Sequence, residues 1–183
     1  ALNMGISAAK GTYISWLSHD DAYYPDKLLR QVTSLERMNG EGRKAVVYTA
    51  FTMMDENSKV FSKLDLPDVP PSKFFSALLC NKVFLSPFKM APFGLHGCTL
   101  LIPKQAFEEM GPFDASLPTT QDYELWFKML GSYDFVKLEG YSVRSRIHKG
   151  QGTYVLRKER VQEVEDLYLR AFQRYVPGSE RYD

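Results

Sequence analysis

The stretch Thr12-Tyr13-Ile14-Ser15-Trp16-Leu17 has the composition of a buried strand, and it runs directly into Ser18-His19-Asp20-Asp21, with Pro25 just beyond. Adjacent ionised carboxylates repel each other and prefer water or a cation. A chain that sets two of them where a hydrophobic strand ends has something for them to hold. A hard divalent ion carrying a phosphorylated substrate is the simplest such object. The alternative is that one aspartate caps the helix starting near Pro25 while the other is solvated.

Around this feature, strand-like and helix-like segments alternate. Residues 1–11 are small and helix-compatible, with Gly11 ending a turn of helix. Pro25 and Asp26 suit the first turn of a helix that sets Leu28, Leu29, Val32 and Leu35 on one side and stops at Asn39-Gly40. Residues 45–51 are rich in β-formers, and the turn cluster Asp55-Glu56-Asn57-Ser58 leads to a partner strand around Val60 and Phe61. Prolines at 67, 70, 71, 87 and 92 make the next stretch loop-rich, with a helix expected over 72–80. Residues 95–102 read as a buried strand, and Pro103 opens a helix through Met110 that Gly111-Pro112 ends. Tyr123, Trp126, Phe127 and Leu130 form an i, i+3, i+4, i+7 stripe on a helix closed by Gly131. Residues 135–147 read as extended chain interrupted at Gly140, and Val161, Val164, Tyr168, Phe172 and Tyr175 share one face of a last helix. The alternation predicts an α/β layer architecture around a mixed, mostly parallel sheet with helices on both faces. Ligands of such folds bind beyond the carboxyl ends of the strands.

A length of 183 residues with 44% hydrophobic content supports one core. With 23 basic and 22 acidic residues the formal charge is +1, which excludes the strong field of a nucleic-acid binder. Cys80 and Cys98 fit neither a disulfide framework nor a zinc knuckle and read as reduced thiols, which suits the cytoplasm. No apolar run approaches the roughly 18 residues of a membrane span, and the first residues do not resemble a secretion signal.

Other chemistry-bearing residues stand apart from the two acids. Asp122 opens the amphipathic helix, where free backbone N–H groups favour the ionised carboxylate; it is either a base or an ordinary first-turn acid. Glu124 is a weaker candidate on the same ground. His148 lies at a strand-to-loop boundary, where an imidazole can ligate a metal or donate to a phosphate oxygen; His96 and His19 have less positional support. Arg144 and Arg146 lie on one side of a strand and can face phosphate. Tyr23 and Tyr24, beside the acids, can stack on a base or a sugar.

Four blocks in register resemble the middle and later parts of family 2 glycosyltransferases. They are Asn3-Met4-Gly5-Ile6-Ser7-Ala8-Ala9-Lys10-Gly11-Thr12-Tyr13-Ile14, then Ser18-His19-Asp20-Asp21 with Pro25 and Lys27-Leu28, then Gly111-Pro112-Phe113-Asp114 with Thr120-Gln121-Asp122-Tyr123-Glu124-Leu125-Trp126, and Arg146-Ile147-His148 with Gln151. The resemblance implies a partial GT-A domain over 1–153, lacking the N-terminal part of its nucleotide-binding region, and a C-terminal helix over 154–183. It implies transfer of a sugar, with inversion, from a nucleotide-diphosphate donor to a hydroxyl of a carbohydrate or lipid-linked acceptor in cell-surface polysaccharide or glycoconjugate synthesis. By the same resemblance Asp122 is the base, and Asp20 with His148 holds Mg2+ or Mn2+. Ser18, Asp20, Asp21 and Arg146 serve the donor, and Gly97, Glu124 and Trp126 lie on the acceptor or sugar side. The family implies work in the cytoplasm, at most peripheral at the inner face of the membrane.

Two positions depart from the family. Ser18 replaces the first acid of the Asp-x-Asp motif, and Gln121 replaces the acid before the base, which leaves the pKa of Asp122 less raised. The absent leading strands imply a piece of a longer protein, inactive alone and open to self-association through an exposed sheet edge. A nucleotidyltransferase that forms sugar nucleotides and a non-catalytic binding module of the same fold are the rival expectations.

Overall fold

The computed structural model describes residues 1–70, 73, 95–151 and 155–175; in the last of these segments not every side chain is included. The elements run α1 (Leu2–Ala8), β1 (Tyr13–Ile14), β2 (Ala22–Tyr23), α2 (Lys27–Gly40), β3 (Ala45–Met54), β4 (Val60–Leu64), a 3₁₀ turn (Gly97–Thr99), β5 (Ile102–Pro103), α3 (Lys104–Met110), α4 (Gln121–Met129), β6 (Asp134–Arg146) and α5 (Arg157–Tyr175). The helix expected over 72–80 lies almost wholly outside the described residues.

β3 is the spine. Its β-branched and aromatic residues are buried along nearly the whole strand, as the run Ala45-Val46-Val47-Tyr48 requires of a strand covered on both faces. β6 lies parallel to it from Ala45↔Asp134 to Met54↔Arg146, with the register shifting around Gly140, whose φ of 80° a side chain would resist. The sheet order is β2-β6-β3-β4, with β1 and β5 forming a separate ribbon. That ribbon joins the spine through the bridge between Val47 and Leu101.

The sheet is mixed, as expected, and its longest ladder is parallel. Among the described residues, β3 with β6 is the parallel ladder, and β2–β6, β3–β4 and β1–β5 are antiparallel. Connection length is the reason for β3 and β4: the turn at 55–59 is too short for a crossover. Asp55 builds that turn by accepting from the Asn57 and Lys59 amides, both at 2.9 Å, while Ser58 takes φ 64°. β6, by contrast, is reached from β3 through a long connection containing α3 and α4, so it can enter parallel.

Three expectations change. On α2 the buried residues are Lys27, Gln31, Leu35 and Met38, whereas Leu28 and Leu29 are exposed. Two polar residues sit inside because carbonyls await them. Lys27 Nζ donates to Ser15 Oγ (2.8 Å), Gln31 Oε1 (2.7 Å) and Leu100 O (3.2 Å), and Gln31 Nε2 donates to Thr99 O (2.7 Å). Burial pulls the Lys27 pKa down to about 8. Residues 95–102 are largely buried but are not one strand: a 3₁₀ turn intervenes, capped by His96, whose Nδ1 accepts from the Cys98 amide at 3.2 Å. On α5, Val164 and Leu167 are buried but Val161 is exposed.

The main core gathers Ile14, Tyr48, Leu100, Phe113, Trp126 and Phe135. The first and third sequence blocks meet there. Asn3 brackets Phe113 by donating Nδ2 to its carbonyl (2.8 Å) and accepting its amide on Oδ1 (3.0 Å), and Trp16 packs edge-on against the Phe113 ring. At the sheet edge, β4 exposes Val60 and Phe61. Among the described residues no helix is long and apolar enough to cross a membrane.

Candidate active site

The chain leaves β1 in an extended path and turns at 18–21, where the Asp21 amide donates to Ser18 O at 3.1 Å. This turn aims the two acids differently. Asp21 is 3% exposed in its side chain; its Oδ1 accepts from the Arg146 amide (2.9 Å) and its Oδ2 lies 3.6 Å from His96 Nε2. Asp20 faces the end of β6, where its Oδ2 lies 2.8 Å from His148 Nε2. Burial pushes the Asp20 carboxyl up. The His148 hydrogen bond, the backbone and the charges of His19 and His148 outweigh it and hold the group below its ordinary value.

The imidazole states follow from their partners. His148 Nδ1 accepts from the Gly150 amide at 3.2 Å, so in the neutral ring Nε2 carries the proton and donates to Asp20. His96 is held likewise, with Nδ1 on the Cys98 amide and Nε2–H toward Ser145 Oγ at 3.2 Å. Burial lowers the His96 pKa against the pull of Asp21 and Asp20, which keeps the ring neutral.

The other residues expected on the donor side are tied into the same knot. Ser18 sets its amide and hydroxyl 3.4 Å from Cys98 Sγ. Burial pushes the Cys98 thiol up to about 11, so it remains a thiol. Arg146, expected at the donor, spends its guanidinium elsewhere. Nε donates to Asp20 O (3.0 Å), Nη1 to Asp55 O (2.8 Å) and Glu56 O (3.0 Å), and Nη2 to Ser58 Oγ (3.0 Å). With four of its bonds fixed, it clamps the acid turn to the tip of the β3–β4 hairpin. Tyr23 and Tyr24 are also engaged. Tyr23 donates to Trp16 O at 2.6 Å under Lys27 Nζ, and Tyr24 shares a hydrogen bond with Thr52 Oγ1 (3.1 Å) beneath Arg144.

On the expected acceptor side, Asp122 sits in the first turn of α4, with Oδ1 accepting from the Tyr123 amide at 2.9 Å. Tyr123 Oη reaches Leu95 O (3.3 Å), the residue before His96, so α4 connects to the segment that backs Asp21. The helix start is held from α5. Glu163 Oε2 accepts from the amides of Thr119 (2.9 Å) and Thr120 (3.1 Å) and from both hydroxyls. The carboxylate thus pairs the two amides that lead into the helix and stands at its positive end. Glu124 pairs one oxygen with Lys128 at 2.7 Å, while Oε2 is buried without a hydrogen-bond partner among the described residues.

Of two further residues expected on the acceptor side, Trp126 is a core residue and Gly97 lies against Trp16. Trp126 is fully buried, its ring 4.5 Å from that of Tyr123, because the apolar stripe of α4 turns it into the core. Gly97 is set by close approach: a Cβ there would lie 2.7 Å from Trp16 Cζ2. The residues that pattern reading missed are Lys27, Gln31 and Glu163, polar groups whose partners stand far along the chain.

Asp20 Oδ2 and His148 Nε2, hydrogen-bonded to each other, are the residues that could hold a divalent ion here, with Asp20 the hard oxygen ligand. Two ligands about 2.1 Å from an octahedral ion at right angles lie about 3 Å apart, close to the 2.8 Å between Asp20 Oδ2 and His148 Nε2. His148 would join such an ion by shifting its proton to Nδ1 and releasing Gly150.

Fold and site together define a GT-A-like α/β protein. TarS of S. aureus superposes on 93% of this chain and 30% of its own with a TM-score of 0.52 at 13% identity. A TarS 1–349 structure covers 97% of this chain and 45% of its own, with a TM-score of 0.58 at 14% identity. The profile of glycosyltransferase like family 2 matches residues 1–152, and the chain belongs to that family. A Rickettsia felis glycosyltransferase is 40% identical over 153 residues, 84% of this chain and 24% of the relative. One from Rickettsia prowazekii is 38% identical over 168 residues, 92% of this chain and 49% of the relative. The amylovoran biosynthesis glycosyltransferase AmsB of Erwinia amylovora is 34% identical over 59 residues, 32% of this chain. The chain thus spans between about a quarter and a half of the length of its Rickettsia relatives.

Proposed function

We propose that the protein to which this chain belongs is an inverting glycosyltransferase that moves a sugar from a nucleotide-diphosphate sugar to an acceptor hydroxyl. The observation that carries the reading is the contact of Asp20 with His148, 128 positions away, beside that of Asp21 with the Arg146 amide. Two sequence blocks that resembled the family separately are joined there by hydrogen bonds.

In this reading the 18–21 turn faces the donor diphosphate, and Asp20 with His148 holds Mg2+ or Mn2+. When bound, such an ion spreads the charge of the departing diphosphate. Asp21 and Arg146 keep the turn in place. Asp122 takes the proton of the acceptor hydroxyl as its oxygen bonds the anomeric carbon, while the bond to the diphosphate breaks on the opposite face. Glu163 fixes the helix start that presents Asp122, and Glu124, paired with Lys128, braces the same helix. A carbohydrate or lipid-linked acceptor in polysaccharide synthesis completes the reading, and the name of AmsB, a glycosyltransferase of amylovoran biosynthesis, points the same way.

In the full-length protein, screened for release of nucleoside diphosphate from a panel of nucleotide sugars, Asp122→Asn should lower kcat by about a hundredfold to ten-thousandfold. Donor affinity should hold. Turnover at the wild-type rate removes Asp122 from the mechanism.

A further inference from the structure

A second cluster lies behind the acid turn. Asp21, His96 and Cys98 each offer one ligand atom, and these atoms lie within 4.8 Å of one another. We propose that they form a site for a borderline-soft divalent cation, Zn2+ above all, distinct from the hard-ion site at Asp20.

The donor set makes the first argument. Thiolate, imidazole and carboxylate together suit zinc and cobalt, whereas magnesium takes oxygens. Placement makes the second. The Arg146 amide occupies Asp21 Oδ1 and leaves Oδ2 aimed at His96 Nε2, 3.6 Å away. In a tetrahedral zinc site, nitrogen and oxygen ligands about 2.0–2.1 Å from the ion stand about 3.3–3.5 Å apart, so the pair needs little movement. The Ser18 amide and hydroxyl hold Cys98 Sγ from one side, and the buried 3₁₀ turn holds it from the other.

Binding is balanced by protons alone. The Cys98 thiol releases its proton to solvent as the sulfur–metal bond forms. The ring proton of His96 moves from Nε2 to Nδ1, and the 3.2 Å bond from the Cys98 amide is given up. Three protein ligands leave a fourth position, with Ser145 Oγ at its margin, 3.2 Å from Nε2. The consequence is mechanical. An ion here fastens residues 18–21 to residues 96–98, one position from Asp20, so zinc occupancy sets how rigidly Asp20 is presented.

The test uses the full-length protein, stripped with chelator, and the metals alone. Titration with Co2+ should give a sulfur-to-cobalt charge-transfer band that saturates at one ion per chain, and Zn2+ should abolish it while excess Mg2+ does not. Cys98→Ser should remove the band, and His96→Gln, which removes a direct ligand, should weaken binding by more than the roughly tenfold to hundredfold typical of losing an outer partner. Cys80→Ser and Asp20→Asn should leave both unchanged. Zn2+ should raise the Tm of the wild type and not that of Cys98→Ser, whose metal-free circular dichroism serves as the folding control. Absence of the band, or a band that survives Cys98→Ser or follows Cys80 instead, means that the three side chains form only a hydrogen-bonded cluster. Either result leaves the assignment of Asp20 and Asp122 untouched.

Discussion

The acid turn and the start of α4 carry the two halves of the proposed chemistry and are held by opposite means. The turn at 18–21 is tied by side chains at its own level: His148 on Asp20, the Arg146 amide on Asp21, and the Arg146 guanidinium on Asp20 O and the hairpin tip. The start of α4 is held from beneath, by the packing of Trp126 and Tyr123, and from behind by Glu163 of α5. A donor's diphosphate needs fixed polar groups around it. An acceptor needs one carboxylate on a rigid support, which the packed face of α4 provides.

If that contrast is right, substitutions under α4 act through stability and those at the turn act through geometry. The largest effect belongs to Trp126→Ala, which empties a fully buried site and should cost about 3–5 kcal/mol. Denaturant unfolding measures it, and Trp126→Phe should recover most of the stability. A variant that keeps its stability but loses acceptor affinity would return Trp126 to the acceptor side.

Next comes Arg146→Met, which keeps the stem but removes four hydrogen bonds. It should cost about 2–3 kcal/mol in chemical denaturation. Because the guanidinium holds protein carbonyls, the salt dependence of donor binding should stay as in the wild type. A flattened salt dependence would mean that Arg146 meets the diphosphate directly.

The smallest effect is that of pH on Asp20. Its carboxyl titrates below the ordinary 3.8, so its contribution is present above that pH and is lost as the pH falls through the lower, folded value. The stability difference between wild type and Asp20→Asn should be about 1 kcal/mol or less at neutral pH and should vanish as the pH falls through that lower value. A difference that instead grew on acidification would contradict the depressed pKa.

How much of this was legible in the sequence depended on whether a residue's partner was local. The stripe of Tyr123, Trp126 and Phe127 and the run 45–51 announced their elements because burial of apolar side chains repeats with the period of the element itself. The same stripe placed Trp126 in the core, since a residue on an apolar face belongs to the core before it belongs to a ligand. The buried face of α2 was misread because Lys27 and Gln31 answer to carbonyls at 99 and 100, which no periodicity reveals. Arg146 was legible as a charged residue beside the acids, but its partners at 55, 56 and 58 were fixed only when β3, β4 and β6 assembled. The meeting of Asp20 with His148 was readable from the order of the family blocks, and its geometry came from the end of the β3–β6 ladder.

Donor binding to the full-length protein, titrated by calorimetry with and without Mg2+ or Mn2+, tests the central assignment most directly. With wild type and Asp20→Asn side by side, the account predicts that the divalent ion strengthens donor binding to the wild type and that the substitution abolishes this enhancement. Equal, ion-dependent binding by both proteins would contradict it.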